Sequence, residues 1–124
     1  MPIGDVQALL SETEVNEKVE DRLATNEAVF REINEGIERG QWPGEEEERV
    51  RFRCECAQLG CNELLEASVQ EYEQVRAHPR RFLVVPGHQR LDAEVVIETR
   101  PNFLVVEKRG QAGAAAEETD PRRP

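Results

Sequence analysis

The sequence predicts an α+β fold in which a long N-terminal amphipathic helix precedes a small β-rich domain with one short helix. Residues 12–39 contain no proline and carry apolar side chains at heptad spacing, which is typical of a long helix. From residue 49 onward the apolar period changes to two, as in strands that bury one face. Residues 109–124 have no large apolar side chain and predict a disordered tail.

The N-terminal helix is predicted from its ends as well as from its period. Ser11 and Glu14 have the spacing of a capping box, and Gly40 is a natural C-terminal stop. The heptad seam consists of Val19, Leu23, Asn26, Phe30, Ile33 and Ile37. Such a seam packs either on the rest of the chain or on a second copy of the helix, where a buried asparagine fixes the register. Both arrangements stay open, and the Glu-rich faces beside the seam are expected in solvent.

Short patterns predict the elements that follow the helix. Residues 41–48 form an acidic linker. Trp42, within it, is expected to pack over the helix end, and an exposed contact role is the alternative. Ser68 and Glu71 make a second capping box, which starts a short helix that stops near Pro79. The strands are predicted at 49–54, 63–67, 81–85, 93–99 and 103–108. The predicted organisation is a flexible N-terminus at 1–10, the helix at 11–40, the linker, one α+β domain at 49–108, and the tail.

Composition limits both the core and the partners. With 34% charged and 5% aromatic residues, a chain of 124 residues has little apolar material, and small cores usually need a metal, a disulfide or a partner. Residues 1–48 hold 14 acidic and 4 basic side chains, so they account for the whole net charge of -10. No apolar run is long enough for a membrane span, and the N-terminus lacks a signal-peptide pattern. We therefore expect a cytoplasmic protein without membrane contact.

All three cysteines fall within the eight residues 54–61, with the spacing C-x-C-x4-C. A structural disulfide is not expected in a reducing cytosol, and three cysteines cannot all pair within one chain. A strand that runs into a turn can aim the thiolates of Cys54 and Cys56 at one point, and the loop AQLG can return Cys61 to it. Zinc prefers four ligands in a tetrahedron, so this cluster predicts a zinc site in the domain at 49–108.

The fourth ligand must be one of two histidines. His88 follows a strand and the Pro86–Gly87 turn, where the backbone reverses and the side chain can point back to a neighbouring loop. His78 lies at a helix end beside Pro79, where it can interact with the helix dipole. His88 is the preferred ligand, and His78 is the alternative.

Four segments resemble small, uncharacterised actinobacterial zinc-knuckle proteins. They are NEAVFREINE at 26–35, FRCECAQLGC at 52–61, SVQEYEQVRAHPRRFLVVPGH at 68–88 and FLVVEK at 103–108. In such proteins the glycine-histidine after the strand accompanies the cysteines, which implies His88 as the fourth ligand. The cysteine spacing is also similar to the zinc segment after the SET domain of histone-lysine methyltransferases. No cofactor motif of a SET domain is present, so methyltransferase activity is not implied.

The sequence predicts a non-enzymatic zinc-binding module that interacts with or regulates a protein partner or a second copy of itself. No nucleophile, phosphate loop or acid–base pair adjoins the cysteines. A catalytic zinc would need Glu55 or Glu63 as a base. We expect both to be solvated instead.

Two further functions stay open. Nucleic-acid binding would use one arginine-rich strand face and one arginine-rich turn, with Phe82 stacking on a base. The arginines concerned are Arg49, Arg51, Arg53, Arg76, Arg80, Arg81 and Arg90. A thiol redox switch would pair Cys54 with Cys56 in a strained, reducible bridge.

Overall fold

The structure, a computed structural model, describes residues 12–123 apart from positions 43, 46, 47, 57 and 59, with side chains of the first helix from residue 22 onward. The elements are α1 (Glu12–Gln41), β1 (Val50–Arg53), β2 (Leu64–Ala67), α2 (Val69–Arg76), β3 (Arg81–Val84), β4 (Glu94–Thr99), β5 (Leu104–Lys108) and α3 (Gly110–Glu118). The predicted α+β class is confirmed. The predictions for residues 1–10, Ser11 and the side chain of Val19 lie outside the described residues.

The strands form two antiparallel sheets. β1 and β2 make a hairpin in which Phe52 lies opposite Leu65, and the other sheet has the order β3-β5-β4. In this second sheet Phe82 lies opposite Val106. The pairing of β4 with β5 shifts between Val96 and Glu98, as at a β-bulge.

Two apolar clusters form the core, and alternate residues of β3 enter different clusters. Leu83 packs in the first cluster with the hairpin and α2, where the rings of Phe52 and Tyr72 stack at 4.5 Å between centroids. Phe82 packs in the second cluster, which also contains Cys54 and Cys56. These two cysteines therefore belong to the core, and the partly buried Cys61 packs against it.

The short helix α2 begins as the sequence predicts. The hydroxyl of Ser68 accepts a hydrogen bond from the Glu71 amide at 3.0 Å, and the Glu71 carboxylate accepts one from the Ser68 amide at 2.9 Å. This reciprocal capping satisfies two amides that the first turn of a helix leaves without partners. Tyr72 and Val75 then face the first apolar cluster.

α1 packs on the domain through a polar face, which corrects part of the seam prediction. Phe30 is buried and Ile37 packs on the first apolar cluster, but Ile33 remains 42% exposed. The buried residues of the contacting face are Ala24, Glu27, Phe30, Arg31, Asn34, Glu35 and Glu38. The expectation that the Glu-rich faces lie in solvent is wrong because the domain supplies basic groups and carbonyl oxygens to this face.

Arg31 is the largest fully buried side chain at the α1 interface. Its Nη2 donates to the carbonyl oxygens of Pro79 at 2.6 Å and Arg81 at 2.9 Å. Its guanidinium also lies 3.7 Å above the ring centroid of Phe82, so one charge is held by carbonyls and a π-face together. Nearby, the ammonium of Lys108 lies 2.7 Å from the Glu27 carboxylate.

The C-terminal residues differ from the predicted disordered tail, because Gly110–Glu118 form α3. Ala112 and Ala116 are buried, and a Cβ at Gly113 would lie 2.9 Å from the carbonyl oxygen of Lys108. The face that packs is therefore made of small residues, which allow close approach but give no large apolar signal in the sequence. After α3, Asp120 accepts a hydrogen bond from Arg76.

Candidate metal centre

The cysteines and one histidine converge at the end of β1. One ligand atom from each of Cys54, Cys56, Cys61 and His88 lies within 4.8 Å of the others. The sulfurs of Cys54 and Cys61 are each 3.6 Å from Nδ1 of His88. Tetrahedral zinc with bonds of about 2.3 Å to sulfur and 2.0–2.1 Å to nitrogen separates these atoms by about 3.6 Å. The spacing therefore fits a tetrahedral ion.

Backbone N–H groups near the sulfurs favour the thiolate. The Val85 amide donates a hydrogen bond to the Cys54 sulfur at 3.2 Å. The amides of Gln58 and Glu63, two residues after Cys56 and Cys61, each act to lower the pKa of that thiol. An amide that donates to sulfur stabilises the thiolate more than the thiol. The backbone thus contributes toward the thiolate form, which is the state that a metal requires.

The thiols share their protons unequally. A hydrogen bond from the Cys54 thiol lowers the pKa of Cys56 to about 4. The same contact, together with burial, raises the pKa of Cys54, while burial raises that of Cys61. A cation that binds all three sulfurs must therefore release protons from Cys54 and Cys61, so its affinity increases with pH.

The orientation of His88 is fixed by a carboxylate. Its Nδ1 faces the sulfurs, while its Nε2 lies 2.7 Å from an oxygen of Glu63. A proton on Nε2 directed at this oxygen leaves the Nδ1 lone pair free for a metal. Glu63 is 57% exposed, as expected, but its contact with His88 gives it a role that was not predicted from the sequence. The available signal was its position two residues after the last cysteine of the cluster.

The two histidines are separated by the fold. His88 joins the cysteine cluster, whereas His78 lines a different groove beside Val75 and Phe103. The geometry thus favours His88 over His78 as the fourth ligand. The turn that precedes His88 uses Gly87 at a φ of 98°, a conformation that suits glycine and directs the chain back toward Cys54.

Glu55 lies between two of the cysteines and has no exposed surface, so the expectation that it is solvated is wrong. One oxygen accepts a hydrogen bond from the Leu83 amide at 3.0 Å, and the other accepts one from the Asn34 side chain at 2.9 Å. Burial raises the pKa of this carboxyl group. Since both oxygens are bonded to the protein, Glu55 serves to position the backbone between Cys54 and Cys56.

Asn34 connects α1 to this backbone. Its side-chain oxygen accepts from the Arg53 amide at 2.7 Å, and its side-chain nitrogen donates to the Arg53 carbonyl at 2.9 Å. The amide side chain thereby imitates a neighbouring strand at the last residue of β1. The helix and the cysteine cluster are consequently held by one hydrogen-bonded unit.

Phe82 is also placed differently from the expectation for nucleic-acid stacking, because it has no exposed surface. Two adjacent arginines of the predicted basic turn are engaged as well. Arg80 pairs with Glu117 at 2.6 Å, and Arg81 pairs with Glu107 at 3.1 Å. An approaching phosphate would have to compete with these carboxylates.

The fold and the cluster define an α+β protein with a Cys₃His group that could hold a metal ion. No protein-family model, curated protein or solved structure matches the chain. No helix among the described residues is long and apolar enough to cross a lipid bilayer.

Proposed function

We propose that the protein is a non-enzymatic zinc-binding module in which Cys54, Cys56, Cys61 and His88 hold a structural Zn²⁺ ion. The observation that carries this proposal is the convergence of the three sulfurs and Nδ1 of His88 within 4.8 Å. Thiolate and imidazole ligands suit zinc, whereas magnesium and calcium prefer oxygen. The Val85 amide that donates to the Cys54 sulfur supports the same conclusion.

The ligand set favours a structural ion over a catalytic one. Four protein ligands complete a tetrahedron, while catalytic zinc sites keep a position for water or substrate. Glu55 and Glu63 are the two carboxylates that could act as a base in a catalytic zinc site. Glu55 accepts hydrogen bonds from Leu83 and Asn34, and Glu63 contacts His88. Zinc in this role contributes directly to the stability of a small core.

The cellular role that we propose is contact with a protein partner or with a second copy of the chain. The predicted seam is only partly used within the chain, because its residue Ile33 remains exposed. Val29, which lies outside the seam one turn before Ile33 on α1, is exposed as well. The net charge of -10 adds a preference for partners with basic surfaces. Regulation through such contacts needs no catalytic group.

Native mass spectrometry with and without a chelator tests the metal and the assembly together. We expect one zinc ion per chain that is lost on chelation, and the chain number reports self-association. Purified reduced protein that neither contains zinc nor takes it up would contradict the proposal. A metal-free chain that loses two hydrogen masses on mild oxidation would favour the redox switch instead.

A further inference from the structure

A groove of about 650 Å³ lies where the end of α1 meets α2 and the C-terminal segment. Its lining residues are Glu35, Glu38, Arg39, Trp42, Glu73 and Arg122, so three carboxylates face two guanidinium groups. Trp42, the only tryptophan of the chain, is 62% exposed. The expectation that it packs over the helix end is therefore wrong, and its ring is available to a ligand.

The groove already holds one guanidinium from the chain itself. Nη2 of Arg122 donates to Glu73 at 2.6 Å and to Glu38 at 3.3 Å, and its Nε donates to Glu35. Such charge-assisted bonds are about twice as strong as neutral ones. The contact with Arg122 thus shows that the carboxylates of this groove bind a guanidinium group.

Glu38 retains capacity for a second cation. The residue is only 8% exposed, and its Oε2 is buried without a hydrogen-bond partner among the described residues. Burial and the adjacent Glu73 carboxylate raise the pKa of Glu38 to about 8. A proton therefore compensates the close carboxylates, and a cationic ligand could replace it.

We propose that this groove binds a lysine or arginine side chain from a basic segment of a protein partner, with the cationic group at Glu38 and Glu73 and the aliphatic stem on Trp42. The inference deepens the proposed function and rests on it, because it names the chemistry of the partner. The aliphatic stem of either side chain covers apolar area on the indole ring while its charged head stays at the carboxylates. Four consecutive glutamates at 45–48 follow Trp42 in the sequence and increase attraction to a basic chain.

Trp42 fluorescence provides the test on the full-length, zinc-loaded protein. Tetra-arginine and tetra-lysine peptides are titrated at low salt, with spermidine as the free polyamine and tetra-glutamate as the negative control. We expect a saturable change with the basic peptides and weaker binding of spermidine. Glu38→Gln should weaken peptide binding about tenfold or more, since hydrogen bonds to charged groups contribute roughly 1.5–3 kcal/mol.

Glu32→Gln is the matched control, because Glu32 lies exposed on the same helix outside the groove. It should change the affinity less than twofold. Trp42→Leu, read by calorimetry, removes the ring at an exposed position and should also weaken binding. Absence of peptide binding overturns the inference, as does equal weakening by Glu32→Gln and Glu38→Gln. Spermidine that binds as tightly as the peptides overturns the assignment to a protein partner.

The zinc content of the same samples separates this inference from the proposed function. If the zinc-loaded chain does not bind basic peptides, the inference about the groove is wrong and the metal proposal stands. A chain that binds the peptides without containing or accepting zinc overturns the metal proposal alone.

Discussion

The cysteine cluster and the α1 interface both bury polar groups, but they assemble them over different distances along the chain. Three of the four groups in the cluster lie within eight residues, and only His88 comes from farther away. At the α1 interface, Arg31 reaches a carbonyl 50 residues on, and Arg122 reaches Glu35 across 87 residues. The first arrangement creates a local motif, whereas the second arises only when the chain has folded.

The largest expected effect comes from removing one thiolate from the cluster. Cys56→Ser should abolish metal binding and unfold the domain, because structural zinc supplies on the order of 10 kcal/mol in small domains. This is comparable to the total stability of a typical domain, about 5–15 kcal/mol. Thermal unfolding by circular dichroism measures the effect, with chelator-treated wild type as the comparison. An unchanged melting temperature would show that the cluster does not stabilise the fold.

The α1 interface should be most sensitive at Arg31. Arg31→Met preserves helix propensity and an unbranched aliphatic stem. It removes the guanidinium, so the carbonyls of Pro79 and Arg81 lose their hydrogen-bond donor. Breaking a buried charge interaction in this way typically costs about 3–5 kcal/mol. Urea unfolding measures the loss, and Arg22→Met on the exposed side of the helix should change stability by less than about 0.5 kcal/mol. Equal losses of stability in the two variants would contradict the distinction between the buried and exposed faces of α1.

Glu27 gives the same interface a pH dependence. Burial raises its pKa from 4.5 to about 7, although Lys108 partly opposes this. Its contribution to stability is therefore complete below about pH 4.5 and is lost as the pH rises through about 7. Glu27→Gln should gain stability relative to wild type between those values, on the order of 3 kcal/mol.

Urea unfolding of both proteins at several pH values measures this difference, in which contributions from the cysteines cancel. Glu32→Gln, at an exposed position of the same helix, is the control. Its free energy of unfolding should change with pH in parallel with that of wild type. If the stability of Glu27→Gln also changed with pH in parallel with that of wild type, Glu27 would have the same pKa in the folded and unfolded chain. That result would contradict the prediction.

The smallest effect concerns the carboxylate behind His88. Glu63→Gln should lower the zinc affinity about tenfold, the lower end of the range for groups that orient a metal-binding histidine, because Glu63 is 57% exposed. Competition with a chromophoric chelator measures the affinity. Glu66→Gln, exposed on β2, should leave it unchanged. A loss of the same size in both variants would point to general surface charge instead.

The sequence was sufficient for elements whose pattern is local. The alternation of β1, the capping box of Ser68 and Glu71, and the cysteine spacing each depend on neighbours within a few residues. The preference for His88 over His78 rested on the Pro86–Gly87 turn and on the resemblance to zinc-knuckle proteins. These features could therefore be predicted before the fold was known.

The remaining features depend on partners that are distant in sequence. From the sequence, Glu55 is expected to be solvated, because its hydrogen-bond partners Asn34 and Leu83 are distant along the chain. α3 packs through Ala112 and Ala116, which are too small to mark an apolar face. Charged and small residues carry no sign of burial in themselves, because burial is decided by what the rest of the chain places beside them.

X-ray absorption at the zinc edge tests the central claim most directly. Zinc-loaded protein should show three sulfur neighbours at about 2.3 Å and one nitrogen at about 2.0–2.1 Å. A first shell dominated by oxygen and nitrogen, with one sulfur or none, would contradict the convergence of Cys54, Cys56, Cys61 and His88 on one ion.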